Sequence, residues 1–334
     1  MTRTRLVRHL STAVVVVLSA SVVVAGVRVS ARMAIEPPET AAAGLALRFI
    51  EPDPNAIPFP VTDEGPPPPT LPAEPAQAAA RAPIPAAITA AHRNARQIEG
   101  NPASFHWALL IGINDYAGRT RDNIGSYQDA VALRQLLVAH GWLPDHVLLI
   151  GNRSATMPQV REGLKWLASK ADARSVVVFH YSGHEKPFKS DVDRDGERRD
   201  VGLWLSDNSL MSDGELGASM GRVAAAKMWI NMAVCRAGGF DDRGMFAPGR
   251  LLTYSSPESE LSYEDPKVNY SVFGYNTVVR GIKMGLADLN EDGVVTVQEA
   301  FEYGRPLVLD RTGNRQHPFM KDLLGTGFDL RIGL

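Results

Sequence analysis

Apolar positions are spread unevenly along the chain, and their spacing changes character twice. Leu10 to Val27 is an uncharged, mostly apolar run of 18 residues, and Glu36 to about Ala90 carries few large apolar side chains. From Phe105 onward, short continuous apolar runs alternate with stretches of helical spacing. Trp107–Ile113 ends beside the turn residues Asn114 and Asp115 and reads as a buried strand. Tyr127–His140 places Ala130, Leu133, Leu137 and Val138 at helical intervals, with Gly141 to cap it. His146–Ile150 is a second strand, and Val160–Ala171 a second helix with Leu164, Leu167 and Ala168 on one face. Ser175–Tyr181 is a third, strongly β-branched strand, Lys227–Val234 a fourth and Arg250–Tyr254 a fifth. Continuously apolar strands alternating with helices predict an α/β fold whose mainly parallel sheet has helices on both faces. In such sheets functional groups gather at the carboxyl ends of the strands.

The first 31 residues read as an export segment. Arg3, Arg5 and Arg8 precede the apolar run, and Val29, Ser30 and Ala31 offer small residues at cleavage spacing. The run is short for a membrane span and long for a signal core, and Arg28 lies close to the cleavage position, so a cleaved signal peptide and a single anchoring helix both stay open. Either predicts an extracytoplasmic chain, secreted, periplasmic or anchored, that meets the membrane only through this segment. Residues 32–100 predict a Pro/Ala-rich disordered linker. Glu36 to Ala90 holds 14 of the 23 prolines, which fix φ and remove donors where few large apolar residues could build a core. Residues 101–334 remain for one folded domain.

Charge and cysteine content narrow the chemistry. A net charge of −2 lacks the basic surplus that nucleic-acid binding usually needs. Cys235 is the only cysteine, so no intramolecular disulfide can form. A lone thiol in an exported protein is either inert in the core or kept for its reactivity.

Two residues stand at strand ends. The third strand runs into Ser182, Gly183 and His184, and the fourth ends at Cys235, followed by Arg236, Ala237, Gly238 and Gly239. A cysteine peptidase needs a thiolate, an imidazole to generate it, and backbone N–H groups for the oxyanion. Glycines beside both residues let a substrate backbone approach. His180 lies within an apolar run and is assigned to the core.

The segments His180–His184 and Cys235–Gly239, 51 residues apart from His184 to Cys235, resemble the caspase–metacaspase–legumain clan. Caspases carry Gln-Ala-Cys-[Arg/Gln/Gly]-Gly with the histidine about 50 residues upstream. Ala108–Asn114 resembles the first strand of metacaspases, Gln128–Ala130 their following Asn-Asp-Ala, and Leu251–Glu264 the segment after the nucleophile strand in bacterial members. The resemblance covers about Phe105 to Leu330 and implies a caspase-like (caspase-hemoglobinase) three-layer sandwich. It implies Cys235 as nucleophile, His184 as base, and the backbone N–H groups of Glu185 and Cys235 as the oxyanion site. Two positions depart from the clan pattern: Glu185 stands where Gly is usual, and Ala233 where metacaspases carry Asp. Of the two acids that in metacaspases select a basic residue before the cut bond, Asp129 is retained, implying a lean toward Arg or Lys.

Asp288–Glu299 matches a calcium-loop pattern at every ligand position: Asp288, Asn290 and Asp292, then Gly293 at the turn, the Val294 carbonyl, Thr296 and Glu299. A helix is expected to follow through Tyr303. Asp191–Gly196 begins the same way, but its twelfth position is Gly202. By resemblance to the acidic loop of metacaspases, Asp191, Asp193, Asp195 and Asp200 are candidate calcium ligands, with a solvated surface loop as the alternative. The expected function is a cysteine endopeptidase acting on peptide or protein substrates, calcium-dependent through these loops. The alternative is a catalytically inactive homologue serving as a calcium-responsive binding module.

Overall fold

Six strands form the central sheet, and five of them run parallel. The computed structural model describes residues 102–332, apart from 193–195, 197–199 and 243, together with a two-residue strand β1 (Arg48–Phe49). The export segment, most of the linker, Asp193 and Asp195 lie outside the described residues.

In chain order the elements are β2 (His106–Gly112), α1 (Ser126–Ala139), β3 (Val147–Gly151), α2 (Met157–Lys170), β4 (Val176–Ser182), β5 (His184–Pro187), β6 (Val201–Trp204) and β7 (Leu210–Ser212). There follow α3 (Asp213–Met220), β8 (Lys227–Ala233), β9 (Arg250–Tyr254), β10 (Tyr263–Asp265) and β11 (Tyr270–Ser271). A short helix Val272–Gly274 runs on as a π-helix over Tyr275–Lys283 (together α4), and α5 (Val297–Arg311) and β12 (Phe319–Asp322) close the list.

The sheet order is β12-β9-β8-β4-β2-β3, with only β12 antiparallel to its neighbour. Alternate strand residues divide between two cores. Leu109, Ile111, Val177, Phe179, Ile230 and Leu252 pack with Leu164 and Leu167 of α2, Leu216 of α3, and Leu203 and Met211 of the small sheet β5-β6-β7. On the other face Ala108, Leu110, Val178 and Leu251 meet Leu133 and Leu137 of α1, Val278 and Ile282 of α4, and Ala300 of α5. Each large apolar side chain so buried contributes about 1.5–3 kcal/mol. This is the α/β sandwich expected from the pattern.

Differences from expectation are local. Beyond the third strand, His184 opens a further short strand, β5, paired opposite Trp204. α5 runs past Tyr303 and Pro306 to Arg311, started by a capping box in which Thr296 and Glu299 exchange hydrogen bonds. Within the linker, β1 pairs antiparallel with β10, Arg48 opposite Glu264 and Phe49 opposite Tyr263. The open edge of β10 offers backbone partners that a Pro-rich composition alone does not reveal. His180 is in the core, where Asn231 Nδ2 donates to its Nδ1 at 3.0 Å. Burial drives its pKa down to about 3, so it stays neutral.

Candidate active site

The pairing of β4 with β8 sets Ser182 opposite Ala233. His184 and Cys235 each lie two residues beyond that pair, at the carboxyl ends of adjacent parallel strands. Their chain neighbours touch: Arg236 Nη1 donates to Glu185 Oε1 at 2.5 Å. His184, Glu185 and Cys235 are all buried.

The histidine is fixed on several sides. Its backbone N–H donates to the Tyr116 hydroxyl at 2.8 Å, and its carbonyl accepts from Tyr181 Oη at 2.7 Å. The Tyr116 ring lies over the imidazole with centroids 4.6 Å apart. Nε2 is 2.7 Å from the Arg121 carbonyl, a pure acceptor, so Nε2 carries the proton and Nδ1 is the basic nitrogen of the neutral ring. Burial holds the hydroxyls of Tyr116 and Tyr181 well above the usual tyrosine pKa, so both act as neutral struts. At Gly183, which joins β4 to β5, an added Cβ would come within 2.8 Å of the Tyr181 hydroxyl and 2.9 Å of that of Tyr116. The residue must be glycine for this clamp to close.

The nucleophile turn is held by serines. The Val234 carbonyl accepts from the hydroxyls of Ser255 (2.8 Å) and Ser262 (2.9 Å), while the Val234 N–H donates to Ser255 Oγ at 3.0 Å. The Ser262 N–H donates to Cys235 Sγ at 3.3 Å, and the thiol sulfur lies 3.6 Å from the Ser262 carbonyl. The Ser262 backbone thus meets the sulfur with both a donor and an acceptor, and fixes its position.

Asp129 lies beneath this end of the sheet. It accepts from Ser182 Oγ at 2.9 Å and from the Ser271 N–H at 3.2 Å. Burial pushes its pKa up to about 7; the two serines oppose the shift and nearby Glu264 adds to it. Gly274 makes room for the carboxylate, since a Cβ there would fall 2.5 Å from Asp129 Oδ1. Glu264, which the sequence reading did not single out, is fully buried and accepts the N–H groups of Ile124, Gly125 and Ser126 at 2.9, 2.7 and 3.2 Å. It thereby fills the start of α1 where no side-chain N-cap acts. Tyr263 beside it has the Arg315 guanidinium 5.1 Å from its ring centroid.

In the loop 288–299, Asp288 accepts the N–H groups of Asp292 (3.1 Å) and Gly293 (2.9 Å), and the Asp292 N–H also donates to Asn290 Oδ1 at 2.9 Å. The Val294 N–H donates to Asp292 Oδ1 at 2.8 Å. Gly293 has φ +79°, the left-handed turn the pattern calls for. Glu299 instead caps α5, its carboxylate accepting the Thr296 N–H at 2.9 Å and hydroxyl at 2.8 Å. The donor types suit calcium, yet no group of three acidic, His or Cys side chains converges among the described residues. In the other loop, Asp191 accepts from the Gly196 N–H at 3.0 Å, and buried Asp200 accepts from the Val192 N–H at 2.5 Å.

Residues 106–276 match the caspase domain family. Metacaspase-3 of Arabidopsis thaliana is 33% identical over 98 residues, 27% of each chain. Metacaspase-4 of the same plant is 28% identical over 184 residues, 52% of this chain and 42% of that one. The chain thus spans well under half the length of these relatives. Among solved structures, a Geobacter sulfurreducens protein superposes with TM-score 0.53 at 15% identity, covering 69% of this chain and 99% of that one. The Drosophila initiator caspase Dronc gives 0.50 at 12%, covering 70% and 86%, a likeness of fold. The match spans half of the sequence and contains both His184 and Cys235; the chain belongs to the caspase-domain family of cysteine peptidases.

Proposed function

We propose that this chain is an exported or membrane-tethered cysteine endopeptidase in which Cys235 attacks and His184 is the base. The observation that carries the reading is the equal offset of the two residues beyond the pair Ser182–Ala233. A Ser262 N–H on the sulfur and an Arg121 carbonyl on Nε2 add to it. His184 Nδ1 takes the thiol proton, and Sγ bonds to the peptide carbonyl carbon as the carbonyl π bond opens to an oxyanion. The backbone N–H groups of Glu185 and Cys235 receive that oxyanion. Collapse breaks the C–N bond, and the imidazolium gives its proton to the departing amine. Water, deprotonated by His184, then cleaves the thioester and restores the thiol.

Selectivity leans to Arg or Lys before the cut bond, with ionised Asp129 as counter-charge. Calcium is held by Asp288, Asn290, Asp292, the Val294 carbonyl, Thr296 and Glu299, which gives up its capping role, and more weakly by the 191–200 loop. Export rests on Arg3, Arg5 and Arg8 preceding the apolar run Leu10–Val27. A non-catalytic binding module is the second reading, favoured by Ala233. Its other support, an acid beside the histidine, weakens because Arg236 pairs with Glu185. The test is hydrolysis of a peptide library by the full chain, with cleavage after Arg or Lys expected and none in Cys235→Ala. Cleavage after Asp would overturn the selectivity, and no cleavage at all would favour the binding module.

A further inference from the structure

Glu185 follows the base and Arg236 follows the nucleophile, and one ion pair joins them. Glu185 is the second residue of β5, opposite Leu203, with its side chain fully buried. Arg236 is 27% exposed and has φ +48°, left-handed backbone uncommon for a residue with a Cβ. Its N–H donates to the Glu260 carbonyl at 2.8 Å, and its own carbonyl accepts from the Gly239 N–H at 2.8 Å. The arginine backbone is therefore pinned in an unusual conformation that delivers its guanidinium to Glu185.

Because Glu185 adjoins the base and its carboxylate meets the residue that adjoins the nucleophile, its buried charge would oppose the negative charge that develops on sulfur and then on oxygen. Its pairing with a guanidinium cancels that opposition. A lone arginine there would do the reverse and favour the thiolate. We infer that Glu185 and Arg236 are a positioning pair of this peptidase: they tie the histidine strand to the nucleophile turn and hold the charge beside the thiol near neutral. This deepens the proposed function and rests on it.

Other charged and titratable groups lie on the elements that carry the histidine and the nucleophile. His184 and the neutral Tyr116 and Tyr181 lie on the histidine side. Tyr263 interacts with Cys235 from β10 and is flanked by Arg315 and by Glu260, which pairs with His317. Asp129 and Glu264 lie below β4 and at the start of α1. All are unchanged in the variants below, so a difference between variants reports the pair.

Because Cys235 is the only thiol, its ionisation can be followed as the ultraviolet absorbance of the thiolate, wild type minus Cys235→Ala in the matching background. This needs neither substrate nor access to the sulfur. Glu185→Gln should move the thiolate titration, and the acid limb of kcat/KM, down by about one pH unit, the lower end of what a neighbouring charge produces. Arg236→Gln should move both up by a similar amount, and the double variant should return most of the way. A structural role alone would lower kcat without shifts of opposite sign. Should Arg236→Gln fail to fold with its carboxylate left unpaired, Glu185→Gln and the double variant still decide. An unshifted thiolate titration in Glu185→Gln would overturn the inference. Expected titration shifts without peptide hydrolysis in the wild type would instead overturn the peptidase reading.

Discussion

Asp129→Asn separates the ionisation of this acid from its shape. The carboxyl group is held near 7 against an ordinary 3.8, chiefly by burial. At about 1.4 kcal/mol per unit, a shift of about three units corresponds to a ceiling near 4 kcal/mol. Asparagine is isosteric, can accept the Ser271 N–H through Oδ1, and can donate to Ser182 Oγ once that hydroxyl turns. It carries no charge to desolvate. The folded pKa lies above the unfolded one, so the native state binds the proton more tightly. The stability due to Asp129 is then fully present below about pH 4, falls as pH rises toward about 7, and is level above that. Asp129→Asn should match the wild type at about pH 4 and exceed it at about pH 8, by up to ~4 kcal/mol. Denaturant unfolding followed by tryptophan fluorescence at both pH values measures this difference. An equal effect at both ends would mean that burial does not shift this acid, and greater destabilisation at about pH 8 than at about pH 4 that it is stabilised ionised; either outcome would refute the reasoning.

If the 288–299 loop binds calcium at ~10⁻⁴ to 10⁻³ M, ~1 mM calcium should stabilise the full chain by about 0.4–1.4 kcal/mol, seen as a rise in Tm of a few degrees. Asp288→Ala with Glu299→Gln should abolish the rise; identical melting of the wild type with and without calcium counts against the site. Gly274→Ala should destabilise by about 1–3 kcal/mol, because the clash with Asp129 outweighs the ~1 kcal/mol helix-propensity gain. A neutral or stabilising outcome in denaturant melts would show that the carboxylate can move aside. For export, protease added to intact cells should remove the catalytic domain if Leu10–Val27 is an anchor, whereas a cleaved signal should release the domain. Full protection, with the domain in the cytosolic fraction, would contradict export.

The five parallel strands of the large sheet were legible because they read as mostly apolar runs, as in Val176–Ser182 and Lys227–Ala233, with helical spacing between them. The antiparallel edge strand Phe319–Asp322, only partly buried, was not. The small sheet was not legible: Leu210–Ser212 and Val201–Trp204 are too short to show a period, and the pairing of β5 with β6 is set by tertiary packing. His184 and Cys235 could be singled out because strand ends are readable and their spacing resembles a known pattern. Asp129 was legible as an acid near a helix start, but its burial was not, since Gly274 and Ser271 come from distant sequence. Glu264 and the Arg236–Glu185 contact escaped for the same reason. No local pattern reveals which backbone N–H groups or guanidinium a distant acid will meet.

The most direct test uses a peptide carrying a thiol-reactive group in place of the cut bond, incubated with the full chain and followed by intact mass and peptide mapping. The account predicts one adduct, located on Cys235, together with loss of peptide hydrolysis in Cys235→Ala and in His184→Ala while both variants keep the wild-type far-ultraviolet spectrum. Hydrolysis by Cys235→Ala at the wild-type rate would contradict it.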